Sequence, residues 1–160
     1  MSIKIDLTAS DVDKQMEVLK HFPDLAEKHY RPVVKRDVDA LRARIQPEIP
    51  IRSGKAASTF GSKVTGRAFS LKGQVGWYDS GDPWYINVVE HGAVAHDINV
   101  KPKQASVLAW NGNFSMGHRI SHPGFSARGF MAAGYSAMQP VIENDLAMAN
   151  ERIIADLAAI

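Results

Sequence analysis

Apolar repeats of helical period occupy both ends of this chain, and the stretch between them breaks into short extended runs joined by turns. Those turns are too short to contain a crossover helix, which parallel strands require, so the strands must pair mainly antiparallel. In the first repeat, Val12, Met16 and Leu19 share a helical face. After Phe22-Pro23-Asp24 interrupts it, Val34, Val38, Leu41 and Ile45 form a single stripe. Ser10 with Asp13 three residues later reads as a helix start, and Pro47 and Pro50 as its end. The last repeat, Ile142, Leu146, Ala149, Ile153 and Leu157, lies beyond Pro140, which is expected to kink or split its helix.

Between the helical ends the spacing predicts five strands: 74–78, 84–91, 95–100, 106–110 and 114–120. Asn111-Gly112 supplies a two-residue hairpin turn between the last two, because both turn positions need positive φ. Residues 51–72 hold no period of 2 or 3.6 and read as a mobile basic loop. The expected architecture is therefore α+β: a small curved, mainly antiparallel sheet packed against a long N-terminal helix and a C-terminal helix. Helical 10–46, the loop at 51–72, the sheet at 73–122 and a helix at 126–158 make a single domain of residues 1–160. A chain of 160 residues suits one domain.

Charge is unevenly spread. Nine basic and nine acidic residues lie in 1–50, nine and four in 51–140, one and four in 141–160. Arg52, Lys55, Lys63, Arg67 and Lys72 follow one another with no acidic residue between them. Such a stretch can face phosphates without reading sequence, or a protein partner, or simply solvent. No apolar run approaches the roughly 20 residues that cross a bilayer, and the start lacks the apolar core of a secretion signal. The absence of cysteine excludes disulfides and thiolate metal sites.

Candidate chemistry is sparse. His91, His96, His118 and His122 fall in one window beside Glu90 and Asp97, which invites a transition-metal site. Their spacing matches no helical His-Glu-x-x-His motif, and the competing reading is polar side chains at strand ends. No Gly-x-Ser-x-Gly elbow is present, and the Gly54-Lys55 pair is followed by Ala56, so no phosphate-binding loop is completed. The residues point away from enzymatic chemistry and imply no cofactor. A metal-dependent hydrolase or nuclease built on the histidine window, and a monomeric nucleic-acid-binding module built on the basic loop, are the competing functions. Trp77, Trp84, Tyr85 and Trp110 read as core fillers or interface anchors.

Four segments in order resemble the tail-completion proteins of long-tailed double-stranded DNA phages, also called head–tail joining or neck proteins. Pro50-Ile51-Arg52-Ser53-Gly54-Lys55 resembles the family's Pro-x-(Arg/Lys)-(Thr/Ser)-Gly-(Arg/Lys) signature. Trp84-Tyr85-Ile86-Asn87-Val88-Val89-Glu90-His91-Gly92 is similar to a Tyr-Ala-x-Tyr-Val-Glu-Phe-Gly-Thr strand. His96-Asp97-Ile98 and Val107-Leu108-Ala109-Trp110 match His-x-Ile and Ala-Leu-x-Phe strands. His122-Pro123-Gly124 followed by Ala127-Arg128-Gly129-Phe130-Met131 resembles His-Pro-Gly and then Ala-(Arg/Lys)-Pro-Phe-(Leu/Met). His91, Ala93 and Gly129 stand where the family has an aromatic residue, Thr and Pro.

The resemblance implies a non-enzymatic virion protein of the tail or neck, encoded by a phage or prophage and assembled in the host cytoplasm. It implies a homo-oligomeric ring, commonly a hexamer, that contacts the tail tube or tail terminator and the head connector or stopper. Genomic DNA would pass through the lumen, and no membrane partner is implied. Gly54, Tyr85, Glu90, Gly92, His96, His122, Pro123, Gly124 and Phe130 carry over as structural or interface positions.

Overall fold

The computed structural model describes residues 9–51, 54–78, 83, 85–99, 108–110, 113–115 and 119–160. The protein is of the α+β class, with long helices near both ends and antiparallel strand pairs between them. In chain order the helices are α1 (Ala9–Lys20), α2 (Phe22–Ile45), α3 (Lys55–Thr59), α4 (Tyr85–His91) and α5 (Phe130–Ala158). The strands are β1 (Gly61–Thr65), β2 (Lys72–Gly76), β3 (His96–Asn99), β4 (Leu108–Trp110), β5 (Asn113–Ser115) and β6 (Arg119–His122). These strands do not join in one sheet. Among the described residues they form three separate antiparallel ribbons, β1–β2, β3–β6 and β4–β5.

Two compact units result, although the sequence carries no domain-boundary signal. One comprises Met1–Asp82 with Met131–Ile160, the other Pro83–Phe130. In the first unit α2 and α5 run antiparallel. Lys28 and His29 both reach Asp156 Oδ2 at 2.8 Å, Tyr30 bonds Asn150, Arg36 bonds Asp145, and Ile45 lies against Gly134. The expected stripes meet here: Val38, Ile45, Ala149 and Ile153 are buried. Helix α1 ends at Lys20, His21 is the N-cap of α2, and Pro23 takes the first turn of α2, a position that needs no amide hydrogen. Its own stripe is not covered: Val12, Met16 and Leu19 are 50%, 55% and 55% exposed.

The mobile loop expected over residues 51–72 is corrected by the structure. Gly54, at φ +76°, opens α3, and β1 follows and pairs with β2 in the register Lys63↔Gln74 and Thr65↔Lys72. Ala56 and Phe60 are buried, Trp77 packs on Phe60 with ring centroids 4.8 Å apart, and Trp77 Nε1 donates to the Ala56 carbonyl at 2.8 Å. The turn between the strands is fastened to α2. Glu27 accepts the Ala68 N–H at 2.9 Å while also binding Arg31, and Arg31 donates to the Gly66 carbonyl at 2.7 Å. The ribbon is held by hydrogen bonds and close approaches to α2, a helix distant in sequence, so no local period announces it.

A second correction concerns residues 84–91, expected as a strand. Tyr85–His91 is helical, with Ile86 buried and its N–H bonded to the Pro83 carbonyl at 2.7 Å. A short apolar run is ambiguous between strand and buried helix, and here the ends decide. Gly92, at φ +77°, stops the helix, and the carbonyls of Val89 and Glu90 accept the N–H groups of Arg128 and Gly129 at 3.1 Å each. The run expected at 114–120 is divided between β5 and β6. The β4–β5 pairing closes on Trp110↔Asn113, and Asn111 and Gly112, expected as its turn, lie outside the described residues. Pro140 does not split the last helix: α5 is continuous from Phe130 to Ala158, four residues later at its start than expected.

Candidate functional site

Two of the motif segments fold against each other in the second unit. Ala93 and Phe125 exchange both backbone hydrogen bonds, at 3.0 and 2.9 Å, next to the α4 carbonyls capped by Arg128 and Gly129. The segment after α4 and the segment before α5 thus clasp. The two glycines flanking the clasp have no substitute. A Cβ on Gly124 (φ +78°) would lie 2.3 Å from the Ala93 carbonyl oxygen, and one on Gly92 2.6 Å from the Ala127 nitrogen. Each needs both positive φ and open space at the backbone. Phe130, the first residue of α5, is buried.

His96 and His122 face each other across β3–β6, their rings stacked at a centroid distance of 5.0 Å. His122 Nδ1 accepts the Gly124 N–H at 3.0 Å, so its neutral form carries the proton on Nε2. His96 Nδ1 donates to the Val94 carbonyl at 2.8 Å, which leaves its lone pair on Nε2. The two rings therefore hold opposite tautomers. This fixes the turn at Pro123 and leaves His122 unable to offer Nε2 to a metal without giving up the turn. His91 is placed differently: its Nδ1 bonds the Asn87 carbonyl one turn back on α4. His118 lies outside the described residues. Among the described residues no group of three or more His, Cys, Asp or Glu side chains is arranged to hold a metal ion. Tyr85 and Glu90 sit at the two ends of α4.

The basic residues belong to the first unit, apart from Arg52, which lies outside the described residues. Lys55 opens α3. Opposed residues of an antiparallel pair share a face, so Lys63, Thr65, Lys72 and Gln74 lie on one side of β1–β2 and Ser62, Val64, Gly73 and Val75 on the other. The second side meets α2. Ser62 Oγ donates to Asp39 Oδ1 at 2.6 Å, and a Cβ on Gly73 would lie 2.5 Å from Val38 Cγ1. Lys63 and Lys72 are consequently presented outward, both exposed, with the Lys63 ammonium 3.9 Å from the centre of the Tyr78 ring. Arg67 stands exposed at the turn.

The carboxylates behind this ribbon are tuned by their partners. The Ala68 N–H, then Arg31, holds Glu27 below the ordinary glutamate range. The Ser62 hydroxyl and then Lys35 lower Asp39, and Lys28 and then His29 lower Asp156. Asp37 goes the other way. Burial raises its carboxyl and nearby Asp145 adds to the rise, against the opposing pull of Arg36. The charge pattern of α2 signals none of this, because Asp37 is distinguished from Asp39 only by which side of the helix α5 covers.

No protein-family model matches this chain, and no curated protein or solved structure is significantly similar to it.

Proposed function

We propose that this chain is a structural virion protein of a tailed phage, forming a homo-oligomeric ring at the head-proximal end of the tail and joining the tail to the head connector. The observation that carries the reading is the ordered set of four motif segments. The meeting of the second and fourth of them at Gly92 and Gly124 supports treating them as one structural device. A ring needs two different patches on each subunit, one meeting the other on its neighbour. The exposed stripe Val12, Met16 and Leu19 is an apolar surface of the kind such contacts bury. Each two-stranded ribbon also has edges that another chain can extend.

The outward face holding Lys63 and Lys72 suits a protein surface on the tail tube or connector, or phosphates of passing DNA. Because α2 already fastens the ribbon, its docking needs no coupled folding. Sedimentation velocity and negative-stain electron microscopy of the purified chain test the ring, and mass spectrometry of purified virions tests its place. Closed rings and a stoichiometric virion band are expected. A chain that stays monomeric at all concentrations, or virions that lack it and join heads to tails normally, would overturn the proposal.

A further inference from the structure

The β1–β2 ribbon turns one face to α2 and the other to solvent, and the two differ in kind. Ser62, Val64, Gly73 and Val75 lie on the packed side, and Lys63, Thr65, Lys72 and Gln74, all exposed, on the open side. The open side carries two ammonium groups, a hydroxyl and a carboxamide, with no carboxylate and no apolar side chain, and Arg67 adds a guanidinium at the turn. We propose that this open face binds the phosphate backbone of duplex DNA without reading its sequence.

Charge placement points to a polyanion. On α2, Lys28, Arg31, Lys35 and Arg36 are each paired with a carboxylate. Lys63, Arg67 and Lys72 enter no such pair among the described residues. The carboxylates that fasten the ribbon are engaged elsewhere, Glu27 by the Ala68 N–H and Arg31, Asp39 by Ser62 and Lys35. Lys63 stands opposite Gln74 and Lys72 opposite Thr65, which makes the two lysines diagonal neighbours, roughly 7–8 Å apart. Because α2 already holds the ribbon, binding adds little ordering cost. Composition separates nucleic acid from a protein partner: protein interfaces centre on apolar and aromatic residues and are poor in lysine, whereas nucleic-acid interfaces are polar and positively charged. Single strands are held by bases stacked on open aromatic rings, and the Tyr78 ring beside this face is covered by the Lys63 ammonium, 3.9 Å from its centre. A two-stranded ribbon instead fits the duplex major groove, with its ammonium, hydroxyl and carboxamide donors reaching phosphates. The inference names a partner for the face that the ring reading leaves open, and it requires one chain only.

Fluorescence anisotropy of a short labelled duplex, in two unrelated sequences and over a salt series, tests the face in the full-length chain. Three cationic contacts should make duplex affinity fall roughly 40-fold between about 50 and about 200 mM salt, equally for both sequences. Lys63→Gln with Lys72→Gln should leave one contact and reduce that fall to roughly three- to fourfold. Lys63→Arg with Lys72→Arg should keep the parent's dependence. So should Lys14→Gln with Arg152→Gln, which removes the same charge from exposed positions on α1 and α5. Circular dichroism checks each fold, and should the paired glutamine variant fail to fold, Lys72→Gln alone must reduce the fall to roughly twelvefold. No duplex binding at low salt, a salt dependence untouched by the lysine replacements, or an equal loss in the Lys14 and Arg152 control would overturn the proposal. Tighter binding of single strands, or of polyglutamate, would overturn it as well. Sedimentation separates this outcome from the ring: a chain that stays monomeric yet binds duplex upholds the face and overturns the ring, and rings that do not bind duplex do the reverse.

Discussion

Glycines with the same φ differ widely in what they tolerate. Gly54 and Gly124 both sit near φ +77°, yet a Cβ on Gly54 meets nothing within 4 Å, whereas one on Gly124 meets the Ala93 carbonyl oxygen at 2.3 Å. Gly54→Ala should therefore cost only the left-handed backbone term, about 1–2 kcal/mol. Gly124→Ala should cost about 3 kcal/mol or more, because the Ala93–Phe125 clasp must open to admit the methyl. Urea unfolding of the two variants measures the difference, and equal losses would show that the clasp is not closely packed. Asp37 gives a second prediction at this scale. Its carboxyl is raised in the folded chain, which therefore holds that proton more tightly than the unfolded chain does. Its contribution makes stability fall as pH rises from the unfolded-state carboxylate value through the raised folded one. Asp37→Asn should remove that fall and gain on the parent chain progressively over this window. Paired urea melts at stepped pH check it, and a constant difference between the two chains would refute it.

Among the elements, the β1–β2 ribbon is held by its contact with α2 as much as by its own ladder. At Gly73 the backbone conformation is ordinary, so the residue is small for space alone: Val38 Cγ1 and Val34 Cγ1 lie 2.5 and 2.8 Å from where a Cβ would stand. Gly73→Ala should destabilise by about 1–3 kcal/mol through overpacking. Val38→Ala should recover part of that loss in the double variant, and purely additive free energies in that cycle would sink the argument. The ribbon and the α2–α5 pair are also tied by carboxylates held below their ordinary range: Glu27 and Asp39 toward the ribbon, Asp156 toward α2. A lowered folded-state value contributes stability that is complete above the unfolded-state value and disappears as pH falls through the folded one. Hydrogen-exchange protection of amides 61–76 should thus be level above about pH 5 and decline below about pH 4. Protection that persists unchanged through that range would count against the carboxylate ties.

For the whole molecule, the open surfaces matter more than the core. Met16 and Leu19 are more than half exposed on α1, and neither is needed to fill the first unit. Met16→Glu with Leu19→Glu should leave the melting temperature within a few degrees of the parent. The same pair should shift sedimentation from rings toward monomers if α1 lies in the subunit contact. Rings that persist would assign the contact to the ribbon edges instead. No described helix is long and apolar enough to cross a membrane.

The helical stripes were legible because local period suffices for them: Val38, Ile45, Ala149 and Ile153 were placed in a core by spacing and are buried there. The pairing of β4 with β5 was legible for a similar reason, since a two-residue hairpin signal places Trp110 opposite Asn113. The β1–β2 ribbon was not. Its order comes from Glu27 and Arg31, some forty residues earlier in the chain, and from the approach of Gly73 to α2. Nor was the helix at Tyr85–His91 legible, because its β-branched residues favour a strand until the Arg128 and Gly129 N–H groups cap its last turn. The stacking of His96 on His122 follows from a cross-strand register that no spacing rule fixes. By itself, then, the sequence determined the α+β class, the helical faces and the motif order, all of which depend on neighbours a few residues apart. The tertiary structure alone decided which glycines are indispensable, which aspartate is buried with a bare oxygen, and which lysines face outward. Those properties are set by hydrogen bonds and close approaches between segments far apart in the chain.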